Sequence, residues 1–181
     1  MAETPGTRHE GLIVVGADGS DHARRALRFG MEEARLRGLP VRAVCAYEYT
    51  PDRYAAYGWL TAPDPDGALY RQVYDNALHD VTETVREVLA ELGNPDVRVE
   101  PVAEPGRPAK VLLEASRDAT MLVVGSRGSG MWGRLTLGST STEVVHNAHL
   151  PVVVLPPRDP EGDADGSEHE RTALTGGRGT A

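Results

Sequence analysis

The chain is poor in cysteine, lysine and long apolar runs, and it carries no excess of positive charge. A single cysteine, Cys45, occurs in 181 residues, so an intramolecular disulfide is impossible. Its apolar neighbours predict a buried, inert thiol. A single lysine, Lys110, stands against 18 arginines, the Lys+Arg total of 19 less one. A Walker A loop needs Gly-Lys-Ser/Thr, and Lys110 lies outside any such context, which removes that class. A receiver domain needs a lysine after its last strand, where this chain reads Leu155-Pro156-Pro157. The apolar runs are about five residues long, against the ~20 that span a bilayer, so no membrane partner is expected. The net charge of −8 and pI near 5.2 argue against nucleic acid as a partner, because binding a phosphate backbone needs a basic patch. The first ten residues are polar and lack the apolar core of a secretory signal. The expected location is cytoplasmic.

What is present suits one domain of ordinary size, with 40% hydrophobic and 25% charged residues. Residues 1–9 are expected to be a flexible N-terminus and 10–157 the folded domain. Residues 158–181 are read as a disordered acidic tail. From Pro157 onward six acids face three arginines, and Leu174 is the sole large apolar residue. Such a segment cannot bury enough surface to offset its ordering entropy.

Leu12-Ile13-Val14-Val15-Gly16 reads as a buried parallel strand, apolar without alternation. Ser20 is a good N-cap for a helix whose inner face carries Ala23, Ala26, Leu27, Gly30 and Ala34. Gly38 and Pro40 end it. A second strand covers residues 41–46, and residues 50–67 form an irregular loop. Leu69, Val73, Ala77, Val81, Val85, Val88 and Leu92 make a long helical stripe, stopped by Gly93-Asn94-Pro95. Residues 97–102 alternate as a third strand, placed near a sheet edge by Pro101. Gly106-Arg107-Pro108 opens a helix with Leu112, Leu113 and Ala115 inward. Met121-Leu122-Val123-Val124 is a fourth strand. A helix from Gly138 places Val144, Val145 and Ala148 inward, and Val152-Val153-Val154-Leu155 is the fifth strand. Alternating strands and helices predict an α/β fold, mostly parallel, with helices on both faces.

The strongest local signal is Gly125-Ser126-Arg127-Gly128 followed by Gly138-Ser139-Thr140-Ser141. It reads as strand, glycine loop and hydroxyl-rich helix start. Glycine lets backbone N–H groups approach phosphate oxygens closely, and a helix start adds free donors and the positive dipole end. The chemistry expected is binding of a phosphorylated ligand, a nucleotide in particular.

The spacing G-x2-G-x9-G-[S/T], with Val15-Gly16-Ala17-Asp18-Gly19-Ser20 after the first strand and Leu150-Pro151-Val152-Val153-Val154 at the last, resembles the universal stress protein family in its ATP-binding branch. Gly106-Arg107-Pro108-Ala109 is similar to the family's turn before its third helix. The resemblance covers about residues 10–157. It implies an open five-stranded parallel sheet of order 3-2-1-4-5, the adenine nucleotide alpha hydrolase-like, Rossmann-like fold, with the ligand at the switch point beside strands 1 and 4. It implies that Gly16, Ala17 and Asp18 line the pocket and that backbone groups of Ala46 meet the adenine edge. Val124, Gly125, Ser126, Arg127 and Gly128 would line the ribose and phosphate approach. Gly138, Ser139, Thr140 and Ser141 would hold the distal phosphates. The implied ligand is ATP, with or without Mg2+, and the implied assembly is a homodimer through Val152, Val153, Val154 and Leu155.

Plainer readings stand beside these. Gly125 and Gly128 also suit an ordinary turn, and Asp18 an ordinary turn aspartate. Thr140 with Glu143 fits a capping box. Arg134 suits a solvated surface. Histidines 22, 79, 146 and 149 show no ligand spacing, and the tail string Glu161-x-Asp163-x-Asp165-Gly166 lacks the glutamate and helices of a calcium loop. Trp59 and tyrosines 47, 49, 54 and 57 suit either an adenine cap or loop packing. Two functions follow: a non-enzymatic ATP-dependent regulator of a stress response, or a slow ATPase or phosphotransferase using the same pocket. The absence of a recognisable general base favours the first, with no catalytic residue assigned. A dimeric scaffold with an empty pocket leaves the glycine motif unexplained. The downstream partner is not specified by the sequence.

Overall fold

The computed structural model describes residues 11–49, 67–126 and 137–156. The strands are β1 (Ile13–Gly16), β2 (Val41–Tyr47), β3 (Val99–Pro105), β4 (Met121–Gly125) and β5 (Val152–Leu155). The helices between them are α1 (Asp21–Arg37), α2 (Ala68–Glu91), α3 (Pro108–Ala115) and α4 (Ser139–Asn147). All strand pairs are parallel, in the order β3-β2-β1-β4-β5.

The central strands are buried on both faces, which is why they read as unbroken apolar runs. Ile13, Val15, Ala43 and Val123 pack with Leu27, Met31, Val81, Val85 and Val88, so α1 and α2 cover one face. Val14, Val44, Leu122 and Val124 pack with Ala109, Leu112 and Val144, so α3 and α4 cover the other. Each Val, Leu, Ile and Met side chain among them contributes about 1.5–3 kcal/mol of burial.

Local chemistry sets the helix limits. The Ser20 hydroxyl accepts from Ala23 N at 3.2 Å, and Gly38, at φ 67°, ends α1 with its N–H on Ala34 O. Small residues bring α1 down onto β1. A Cβ on Gly30 would lie 2.5 Å from Val15 Cγ2. Pro108 occupies the first turn of α3 as expected.

Three expectations need adjustment. β3 spans Val99–Pro105 rather than 97–102, because Val97 N is used in a turn to Pro95 O at 2.8 Å. The stripe is buried only at Val81, Val85 and Val88; Leu69, Val73, Ala77 and Leu92 are half-buried. Val145 points outward, 46% exposed, while Val144 is fully buried.

The two sheet edges differ. Val41 N bonds Arg98 O and Gly106 N bonds Tyr47 O, so the even residues of β3 face β2. Pro101 and Pro105 therefore sit at outward positions, where they delete edge donors without breaking a rung. On β5 the alternation is reversed. Leu122 N bonds Pro151 O and Ser126 N bonds Leu155 O, which leaves the backbone groups of Val152 and Val154 facing outward. All four β5 residues are half-exposed. Among the described residues no helix is long and apolar enough to cross a membrane.

Candidate functional site

β1 and β4 are neighbours, yet α1 leaves β1 toward one face of the sheet and α4 follows β4 on the other. Their carboxyl ends therefore part around a crevice, the place where ligands sit in open α/β sheets. Val124 and Gly125 end β4 on one side, and Gly16, Ala17 and Asp18 leave β1 on the other. Gly16 also has a packing role, since a Cβ there would lie 3.3 Å from Leu112 Cδ1 of α3.

The ladder between β1 and β2 stops at this crevice. Its last rung is Ala17 N to Val44 O, 2.8 Å. Even residues of β2 face β1, so Ala46 presents its N–H and C=O on the same side, one step past that rung. Beyond it β1 supplies no partner among the described residues. A free donor and a free acceptor at that spot form a hydrogen-bonding edge for a planar heterocycle.

Ser126 and Gly138 hold the two ends of the glycine loop together. Gly138 N donates to Ser126 O at 2.7 Å, and the Ser141 hydroxyl lies 3.0 Å from both Ser126 O and Gly138 O. Ser126 and Gly138, twelve positions apart in sequence, are thus joined directly. Arg127 and Gly128, assigned to the ribose and phosphate approach, and Arg134 lie outside the described residues. So do Tyr54, Tyr57, Trp59, the N-terminus and the acidic tail. Among the described residues the buried Ser126 hydroxyl has no hydrogen-bond partner, an arrangement that folding alone does not favour.

Gly138 is the N-cap of α4, and no side chain among the described residues caps that helix. The first intrahelical bond is Thr142 N to Gly138 O, 2.9 Å. The N–H groups of Ser139, Thr140 and Ser141 precede it and have no intrahelical acceptor. The capping box expected of Thr140 and Glu143 is not formed; the Glu143 carboxylate instead pairs with Arg107 Nη2 at 2.8 Å. The helix start thus offers N–H donors and the positive end of its dipole, chemistry that suits an anion.

Asp18 takes its turn role. Its Oδ1 accepts from Ser20 N at 3.1 Å and from the Ser20 hydroxyl at 2.6 Å. Ser20, read from the sequence only as a helix cap, thus also orients Asp18. Cys45 is half-buried rather than buried as expected; desolvation still pushes its thiol above the ordinary pKa, with the charges of Asp18 and Asp80 adding to the effect. Tyr47 and Tyr49 pack toward α2, with ring centroids 6.5 Å (Tyr47–Tyr70), 6.3 Å (Tyr47–Tyr74) and 5.2 Å (Tyr49–Tyr70) apart. His146 Nδ1 lies 2.9 Å from Thr142 O within its own helix. A cavity of about 520 Å³ lined by Met31, Glu32, Arg35, Leu92, Pro95 and Asp96 lies at the opposite end of the sheet, remote from these groups.

The sheet order and the crevice define a doubly wound α/β domain of the adenine nucleotide alpha hydrolase-like fold. The family model "Universal stress protein family" matches residues 11–156, and the chain belongs to that family. Universal stress protein Rv2623 of Mycobacterium tuberculosis is 35% identical over 150 residues, covering 81% of this chain and 48% of that protein. The chain thus spans about half the length of such curated relatives. The universal stress protein UspA from Lactobacillus plantarum superposes with a TM-score of 0.63 at 19% identity, over 81% of this chain and 97% of that one. A universal stress protein solved in complex with cAMP has a TM-score of 0.51 at 23% identity, over 81% and 97%.

Proposed function

We propose that this chain binds ATP at the β1–β4 crevice and acts as a non-enzymatic, nucleotide-dependent regulator of a stress response in the cytoplasm. The observation that carries the reading is the start of α4, uncapped among the described residues and bonded through Gly138 to Ser126, whose buried hydroxyl has no partner among them. Phosphates would take the N–H groups of Ser139, Thr140 and Ser141, and the adenine edge would take the backbone of Ala46. Val124, Gly125, Arg127 and Gly128 would flank the sugar, and Gly16, Ala17 and Asp18 the opposite wall. The fold holds cAMP in one solved universal stress protein, which is compatible with an adenine nucleotide here.

A regulator is favoured over an ATPase or phosphotransferase by the state of Asp18. Its Oδ1 is already engaged by Ser20, which leaves a thin set of groups for Mg2+ or for orienting water. Turnover is expected far below the ~1–10³ s⁻¹ of ordinary enzymes. The open β5 edge supports a two-fold homodimer in which Val152 and Val154 pair antiparallel across the dyad and Val153 and Leu155 add apolar surface.

Gly138→Val tests the site. Gly138 has φ −67° and ψ 166°, which valine adopts without strain, so the fold should survive while the branched side chain fills the phosphate approach. Calorimetric titration should show ATP binding lost in a variant whose circular dichroism is unchanged. Undiminished affinity in that folded variant would remove the loop from the site.

A further inference from the structure

The ion pair between Arg107 and Glu143 bridges two helix starts. Arg107 is the N-cap residue of α3 and Glu143 the fifth residue of α4. Both helices begin at the carboxyl end of the sheet and lie on the same face, above the crevice beside Gly16 and Leu112. Arg107 is 72% exposed and Glu143 36%, so the pair adds little to stability. Glu143 lies four residues past Ser139, about 6 Å along the helix axis, a span within reach of an arginine stem. Its carboxylate is the charge that the positive end of α4 would otherwise share with an incoming phosphate.

Building on the reading of the α4 start as a phosphate site, we propose that Arg107 is a specificity-determining residue that exchanges Glu143 for the terminal phosphates of a nucleoside triphosphate, so that the site selects triphosphate over monophosphate. The exchange is favourable on charge. A terminal phosphate presents more negative charge than one carboxylate, and the guanidinium fork matches either geometry. An exposed ion pair worth about 0–1 kcal/mol is a weak competitor. A monophosphate, whose charge stops nearer the ribose, does not recruit Arg107.

The test is calorimetric titration of ATP and AMP into the wild type, Arg107→Gln, Glu143→Gln and the double variant. Arg107→Gln should weaken ATP about tenfold, the loss of one charge-assisted contact, and AMP less than twofold. Glu143→Gln should tighten ATP severalfold, and the double variant should follow Arg107→Gln. Melting temperatures of the ligand-free variants should stay near wild type, because the side chains are exposed. Equal weakening of ATP and AMP by Arg107→Gln, or unchanged ATP affinity in that variant, overturns the role of Arg107 and leaves the ATP site standing. A wild type that binds neither nucleotide overturns both.

Discussion

Ser126→Ala should make the ligand-free protein more stable and the nucleotide complex weaker. Ser126 is 6% exposed and its hydroxyl has no hydrogen-bond partner among the described residues. Leaving such a group unsatisfied costs about 1–3 kcal/mol. Alanine removes the hydroxyl, keeps the Cβ and opens little space. A gain of about 1 kcal/mol is expected, or roughly 2–4 °C in melting temperature for a domain of 150–250 residues. If the hydroxyl serves a phosphate, the same change removes one bond to a charged group, about 1.5–3 kcal/mol, which is roughly a 10–100-fold loss in ATP affinity. Ser141→Ala is the contrast. Its buried hydroxyl lies 3.0 Å from the carbonyls of Ser126 and Gly138, so its loss should lower stability by about 1 kcal/mol with or without ligand. Thermal unfolding and calorimetric titration on the three proteins read both effects. A Ser126→Ala protein that melts lower than wild type without nucleotide would refute the reasoning, because the hydroxyl would then have a partner. A more stable variant with full ATP affinity would detach Ser126 from the site.

Gly30→Ala should destabilise despite alanine's better helix propensity. The new Cβ would sit 2.5 Å from Val15 Cγ2, and overpacking of about 1–3 kcal/mol exceeds a propensity gain of about 1 kcal/mol; chemical denaturation giving equal or higher stability contradicts the close packing of α1 on β1. Val153→Lys or Val154→Lys should shift the proposed dimer toward monomer in analytical ultracentrifugation, because like charges near the dyad repel and lose solvation; a wild-type monomer, or a dimer indifferent to both, excludes the β5 edge. Tyr47 is held above its ordinary phenol pKa by burial and by Tyr70 beside it. The unfolded state therefore releases this proton first, and the Tyr47 contribution is full below pH ~10 and falls as pH rises above it. Tyr47→Phe should flatten the alkaline loss of stability, and an identical pH profile in the variant would contradict the shift.

Strands and helices were legible because each signal was local. Continuous apolar runs marked β1, β4 and β5, and Ser20, Gly38 and Pro108 act where capping chemistry placed them. The sheet order came with the family resemblance, since periodicity alone does not rank strands. Long-range partners were not legible. Glu143 was spaced for a capping box with Thr140, but Arg107, 36 residues earlier, holds its carboxylate. The limits of β3 depended on a turn at Val97 and on prolines whose missing donors face outward, where alternation has no bearing. At the site, the glycine spacing marks the loop and the resemblance names Ser126 and Ala46, whereas the burial of the Ser126 hydroxyl without a partner among the described residues and the direction of the Ala46 backbone emerge only from packing and register.

The most direct measurement is the nucleotide content of the purified protein after denaturation, by chromatography and mass spectrometry. The account predicts ATP released in near-stoichiometric amount from the wild type and none from Gly138→Val. Wild-type protein that is folded, free of adenine nucleotide and unable to take up added ATP would contradict it.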